Sequence, residues 1–88
     1  MKDFVSSTAL TKDFERAVKR GIPLSRFKEI VTLLVNEERI PDQFKDHKLI
    51  GNRNGYRELH VFPELIFIYR STDDTIYGER LGSHSDLF

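Results

Sequence analysis

The spacing of apolar residues changes character near the middle of the chain. Lys2 to Ser7 reads as a short opening strand. From Thr8 to Arg20 the apolar residues are Leu10, Phe14, Ala17 and Val18, which line up as one stripe on a helix. Gly21 ends that helix, because glycine readily takes the left-handed conformation that follows a last helical turn. Pro23 can open a second helix, since the N–H that proline lacks has no partner at a helix start. The second stripe is Phe27, Ile30, Val31 and Leu34, with Leu33 at its edge, and Pro41 stops the helix after a polar run. Two such helices joined by a few residues pack as an antiparallel hairpin.

Beyond residue 42 the period shortens. Asp42 to Asn54 is polar, with an apolar island at Leu49-Ile50 and a turn across Gly51 to Gly55. Tyr56 to Phe62 alternates, so Tyr56, Glu58, His60 and Phe62 face one way and Arg57, Leu59 and Val61 the other. Leu65 to Tyr69 is an unbroken apolar run, as a central strand buried on both sides requires. Pro63-Glu64 and Ser71 to Asp74 are the turns around it, Thr75 to Leu81 is a third strand, and Gly82 to Phe88 reads as a tail. The order is β-α-α-β-β-β. The expected fold class is α+β, a helical hairpin packed on one face of a small antiparallel β-sheet. The pattern leaves open whether the first strand joins at an edge or in the middle.

Length and composition narrow the class. Eighty-eight residues are read as one domain, 1–88. Without cysteine the chain has no disulfide and no thiolate metal site. No apolar run approaches a membrane span, and the start, Met1 to Val5, lacks the apolar stretch of a signal peptide. A cytoplasmic protein with no membrane contact is the expectation. Net charge is zero, but residues 1–60 carry 12 basic and 9 acidic residues and residues 61–88 carry 2 and 5. Any RNA affinity must therefore come from a local patch rather than a whole-body field. The best patch is Lys45, Lys48, Arg53 and Arg57, beside His47 and His60, although charge alone favours a solvated loop and strand face there.

All three histidines, His47, His60 and His84, lie in this second half. Histidine gives or takes a proton near neutral pH, and arginine stabilises charge building on a phosphate. In a meander the first and third strands flank the central one, so the three histidines can cluster on one rim, although three ordinary surface or half-buried histidines, each with its own hydrogen bond, are the reading the residues alone favour. Arg80, four residues before His84, suits a phosphate site, and a salt bridge to Glu79 or Glu58 is its ordinary alternative. Phe88 is a ring for base stacking or a loose end. Metal binding is disfavoured, because no two histidines share a short ligand spacing, and no cofactor is expected. Gly82-Ser83-His84-Ser85 is not a nucleophile elbow, and Gly51 to Gly55 is not a phosphate loop.

Four stretches together resemble a known family. They are Lys45-Asp46-His47-x-Leu49-x-Gly51, Gly55 to Val61 followed by Pro63, Leu65 to Arg70, and Arg80-x-Gly82-Ser83-His84-Ser85-x-Leu87-Phe88. In order and spacing they look like the YafQ-like branch of the RelE/ParE toxin superfamily. The resemblance implies a bacterial type II toxin that cleaves mRNA on the ribosome without metal, by attack of the 2′-OH on the adjacent phosphate. It also implies a RelB/DinJ-like antitoxin partner, with operator DNA bound only through the complex. The family's functional positions fall on His47, His60, Glu64, Arg80, His84 and Phe88. His84 would be the general acid, His60 with Glu64 the base, Arg80 the phosphorane stabiliser, His47 a phosphate holder or second base, and Phe88 a nucleotide positioner. The family's usual Asp-Trp is replaced here by Glu64-Leu65, and its usual basic charge by neutrality. A relative that acts by binding, as ParE-type toxins bind gyrase, or a silent antitoxin-binding member, is the alternative.

Overall fold

The computed structural model describes residues 1–51 and 54–88. Its elements are β1 (Asp3–Ser6), α1 (Thr8–Lys19), α2 (Ser25–Val35), a 3-10 turn (Asp42–Phe44), β2 (His47–Lys48), β3 (Arg57–Phe62), β4 (Leu65–Ser71), β5 (Thr75–Gly82) and α3 (His84–Leu87). One five-stranded sheet runs in the order β1-β5-β4-β3-β2. The meander β3-β4-β5 is antiparallel as expected, with β4 central. β1 resolves the open question by joining the edge beside β5, and it does so in parallel, so the sheet is mixed. β2 forms the other edge, antiparallel to β3, where the sequence suggested only a polar loop.

Local chemistry accounts for the helix ends. The Ser7 hydroxyl accepts from the Leu10 amide at 2.9 Å and donates to the Glu79 carbonyl at 2.7 Å, capping α1 and tying it to β5. Gly21 has φ +75°, the left-handed turn expected after α1. α2 begins at Ser25, two residues beyond Pro23, with no side-chain cap on Leu24.

The helices cover one face of the sheet. Leu10, Ala17, Phe27, Ile30 and Leu34 pack with Leu59, Phe67, Tyr69 and Leu81 in one cluster, and the Phe27 ring meets Phe67 edge-on at 4.9 Å. Ile66 and Ile68 emerge on the opposite face, where Leu87 packs on them. β4 is thus buried on both sides, as its unbroken apolar run requires.

Three side chains depart from the sequence pattern. Val18 is 56% exposed, and the helical stripe is completed instead by Asp13, at 2%. Phe62 packs with the helix-side cluster rather than with Glu58 and His60. A bulge explains this: His60 pairs Ile66 and Phe62 pairs Leu65, so Val61 is an extra residue that reverses the alternation. The tail is not loose. Ser83 caps α3 through a reciprocal capping box with Asp86.

Candidate active site

Residues paired across neighbouring strands share a face. His47 pairs Glu58, Glu58 pairs Ile68, and Ile68 pairs Arg80. These four form a row across the sheet on the face away from α1 and α2. His60, Ile66 and Gly82 form the next row, and the chain turns from Gly82 into α3, which carries His84 and Phe88. With strands roughly 4.8 Å apart, the first row spans about 14 Å and the second about 10 Å. The meander therefore brings all three histidines and Arg80 to one face and its rim, where Leu87, Leu49 and Tyr56 cover the Ile66 and Ile68 between them and the Arg80 guanidinium turns round the β5 edge to Asp13.

Each side chain is held by named partners. The His47 ring lies between two oxygens: Nδ1 donates to the Lys45 carbonyl at 2.6 Å, and Nε2 is 3.0 Å from Glu58 Oε2. Both contacts are satisfied only by two protons, either both on the ring or one of them on Glu58. Glu58 is buried, so it fixes the ring firmly. Sequence reasoning missed this role, although Glu58 and His60 on one strand face were its signal. His60 Nδ1 faces the Pro63 carbonyl at 3.4 Å, a weak contact that makes Nδ1 the donor and leaves the Nε2 lone pair of the neutral ring for proton uptake.

Arg80 is paired with neither Glu79 nor Glu58. Its Nε donates to Asp13 Oδ2 at 2.7 Å and its Nη2 to Oδ1 at 3.2 Å. β1 pairs β5 only as far as Gly78, so beyond that point the β5 edge is open and Arg80 reaches past it to α1. The hydrogen bond to Asp13 raises the guanidinium pKa further above its ordinary value, and burial opposes this only in part. Asp13 also accepts from the Leu81 amide at 3.0 Å and from Arg16 Nη1 at 3.2 Å. Three of the five guanidinium N–H groups of Arg80 remain for a phosphate.

The α3 turn carries the remaining groups. The rings of His84 and Phe88 meet edge-on at 5.2 Å. Asp86 accepts from the Ser83 amide at 3.1 Å and from Arg20 Nη1 at 3.3 Å, which fastens α3 to the end of α1. The bonds to Ser83, and secondarily Arg20, hold the Asp86 carboxyl below its usual 3.8.

Other expected residues are dispersed. Glu64 is exposed in the β3–β4 turn. It lines a cleft of about 370 Å³ with Arg16, Arg20 and Asp86 on the helix side, rather than bonding His60. Lys48 pairs Arg57, and Arg57 pairs Tyr69, so both point to the helix side, away from His47. Arg57 Nε is spent on Asp46 at 3.1 Å. Asp46 also accepts from the Tyr69 hydroxyl at 2.6 Å, and burial followed by this carboxylate pushes the phenol up. That half-buried knot anchors the segment bearing Lys45 and His47. Lys45 stands beside His60. Arg53 lies outside the described residues. Among the described residues no three His, Asp or Glu side chains are grouped to hold a metal ion, and no helix is long and apolar enough to cross a membrane.

Comparison with known proteins identifies the family. Residues 2–88 match the family model described as the bacterial toxin of type II toxin–antitoxin system, YafQ. The mRNA interferase toxin YafQ of Escherichia coli K12 is 40% identical over 88 residues, covering 99% of this chain and 96% of that one. The crystal structure of YafQ from E. coli BL21(DE3) superposes with a TM-score of 0.94 at 37% identity, covering 100% and 99% of the two chains. YafQ in the E. coli DinJ–YafQ toxin–antitoxin complex gives 0.92 at 40% identity, covering 99% and 97%. The chain belongs to the YafQ family of bacterial toxins from type II toxin–antitoxin systems.

Proposed function

We propose that this toxin is a ribosome-dependent mRNA endonuclease that cleaves by acid–base catalysis with its own side chains. The observation that carries the proposal is the strand register that sets His47, His60 and Arg80 on one face of the sheet, with His84 on the α3 turn at its rim. The 2′-oxygen forms a bond to the adjacent phosphorus, and the bond from phosphorus to the 5′-oxygen breaks. His60 Nε2, with Glu64 nearby in sequence, takes the 2′-OH proton. His84 gives a proton to the departing 5′-oxygen. Arg80, its guanidinium steadied by Asp13, binds the charge of the phosphorane, and His47 holds a phosphate oxygen through Nε2 once that nitrogen turns from Glu58 to the substrate. The products are a 2′,3′-cyclic phosphate and a 5′-OH. Phe88 supplies a ring for the nucleotide at the exit side.

A toxin of this family works opposite an antitoxin. The E. coli relative is seen in complex with DinJ, and a DinJ-like antitoxin is the partner proposed here, with operator DNA contacted through the complex. Action on translating ribosomes places the toxin in the cytoplasm. The test is induction of the toxin alongside two reporter mRNAs, one with a start codon and one without. Cuts in the translated reporter only support the proposal. Growth arrest with both messages intact overturns it and points to a binding target such as gyrase.

A further inference from the structure

A second cleft, of about 410 Å³, opens on the far side of His60 from Arg80 and His84. It exists because β2 pairs only Arg57 and Glu58, which leaves the β3 edge bare from His60 to Phe62. Arg26 of α2 and Lys45 flank it, Gln43 and His60 add polar groups, and no carboxylate lines it. The guanidinium carbon of Arg26 sits 4.6 Å from the centre of the Phe62 ring and 5.9 Å from that of Phe44. Arg26 Nη1 reaches the Val61 carbonyl at 3.4 Å, which lays the arginine along the strand edge. Two cations, one of them a guanidinium plane preset against the half-buried Phe62 ring and backed by the buried Phe44, form a combination that binds single-stranded nucleic acid, with cations tracking phosphates and the flat guanidinium accepting a base. The cleft is of the size that takes a small ligand moiety.

We infer that this cleft, built on Arg26, Lys45, Phe44 and Phe62, is the subsite for the nucleotide on the 5′ side of the cut. The polarity rests on the proposed function: His60 meets the 2′-OH and His84 the departing 5′-oxygen, so the RNA runs 5′ to 3′ from this cleft toward α3. The binding of RNA there does not depend on cleavage.

The test uses the isolated toxin and a fluorescent all-2′-O-methyl RNA decamer, which cannot be cut, with anisotropy read at several salt concentrations. Arg26→Ala and Lys45→Ala should each weaken binding about tenfold, and each should lower the slope of log affinity against log salt by roughly 0.7. Arg26→Lys should keep the slope. Lys12→Ala, a cation of α1 outside the cleft, should bind within twofold of wild type. Thermal melting of each variant separates lost contacts from lost fold, and Lys45, exposed on a turn, serves if Arg26→Ala unfolds. The inference is overturned if wild type does not bind, if Arg26→Ala and Lys45→Ala match Lys12→Ala, or if they lose antitoxin binding and keep RNA. A toxin that binds through Arg26 but cuts no message would leave this inference standing and sink the endonuclease proposal instead.

Discussion

Asp13 is the residue on which fold and site depend together, and its removal gives the sharpest prediction. Its carboxylate is 2% exposed and accepts four hydrogen bonds: two from Arg80, one from the Leu81 amide and one from Arg16. Breaking a fully buried ion pair costs about 3–5 kcal/mol. The Arg80 side chain is 28% exposed, so water recovers part of that, while the Leu81 amide is left buried without an acceptor, at about 1–3 kcal/mol. Asp13→Ala should therefore destabilise the toxin by about 2–4 kcal/mol. A domain of this size has only about 4–13 kcal/mol to lose, and each kcal/mol moves the melting temperature by about 4–8 °C, so a drop of at least about 8 °C is expected. Arg16→Ala, by contrast, removes a pair whose cation is 44% exposed and should cost less than about 1 kcal/mol. The assay is urea denaturation of Asp13→Ala, Arg80→Ala and the double variant, combined as a cycle. A coupling of at least about 1 kcal/mol is expected, along with loss of cleavage in the milder Asp13→Asn variant because the Arg80 guanidinium is no longer fixed. A coupling near zero, or an Asp13→Ala protein as stable as wild type, would refute the reasoning.

Other consequences are equally concrete. A Cβ at Gly78 would run into the Leu10 side chain and come within 2.9 Å of Phe4 Cζ, so Gly78→Ala should cost about 1–3 kcal/mol in denaturation because Leu10 is buried. The depressed Asp86 carboxyl makes α3 stability pH-dependent: a group lowered by folding contributes above its unfolded value of 3.8 and loses that contribution as pH falls below it. Amide exchange or NMR at Leu87 and Phe88 should show α3 loosening below about pH 4, and Ser83→Ala should loosen it already at pH 7. A chelator selective for transition metals, which leaves the ribosome its magnesium, should leave message cleavage unchanged, since the proposed chemistry uses imidazole and guanidinium alone, and inhibition reversed by an added transition metal would contradict that.

Much of this arrangement was legible in the residues. Periodicity placed both helices, the three late strands and the double burial of β4, because those elements repeat a single local rule. Asp13 was overlooked in favour of Val18, yet a carboxylate three residues after Leu10 and four before Ala17 stands within the apolar stripe, where only a buried partner could justify it. Ser83-x-x-Asp86 was likewise a capping signature in plain view, and it turns the tail into the α3 that carries His84. The bulge at Val61 left no such mark. Strict alternation sends Phe62 to the face of His60, and only pairing with Leu65 across the turn reverses it. The parallel pairing of β1 with β5 and the partner of Arg80 depend on contacts between residues more than sixty positions apart, which no local pattern encodes. The opposed faces of His47 and Lys48 follow from a two-residue strand set in a polar stretch too short to show alternation.

The central claim is that these histidines cut translated mRNA. Its most direct measurement is primer extension on a reporter message in a purified translation system, with wild-type toxin and with His84→Ala. Wild type should give cuts within the translated codons, ending in 5′-OH, and His84→Ala none while the variant still binds its antitoxin. Cuts of equal strength from His84→Ala, or a translated message left intact by wild type, would contradict it.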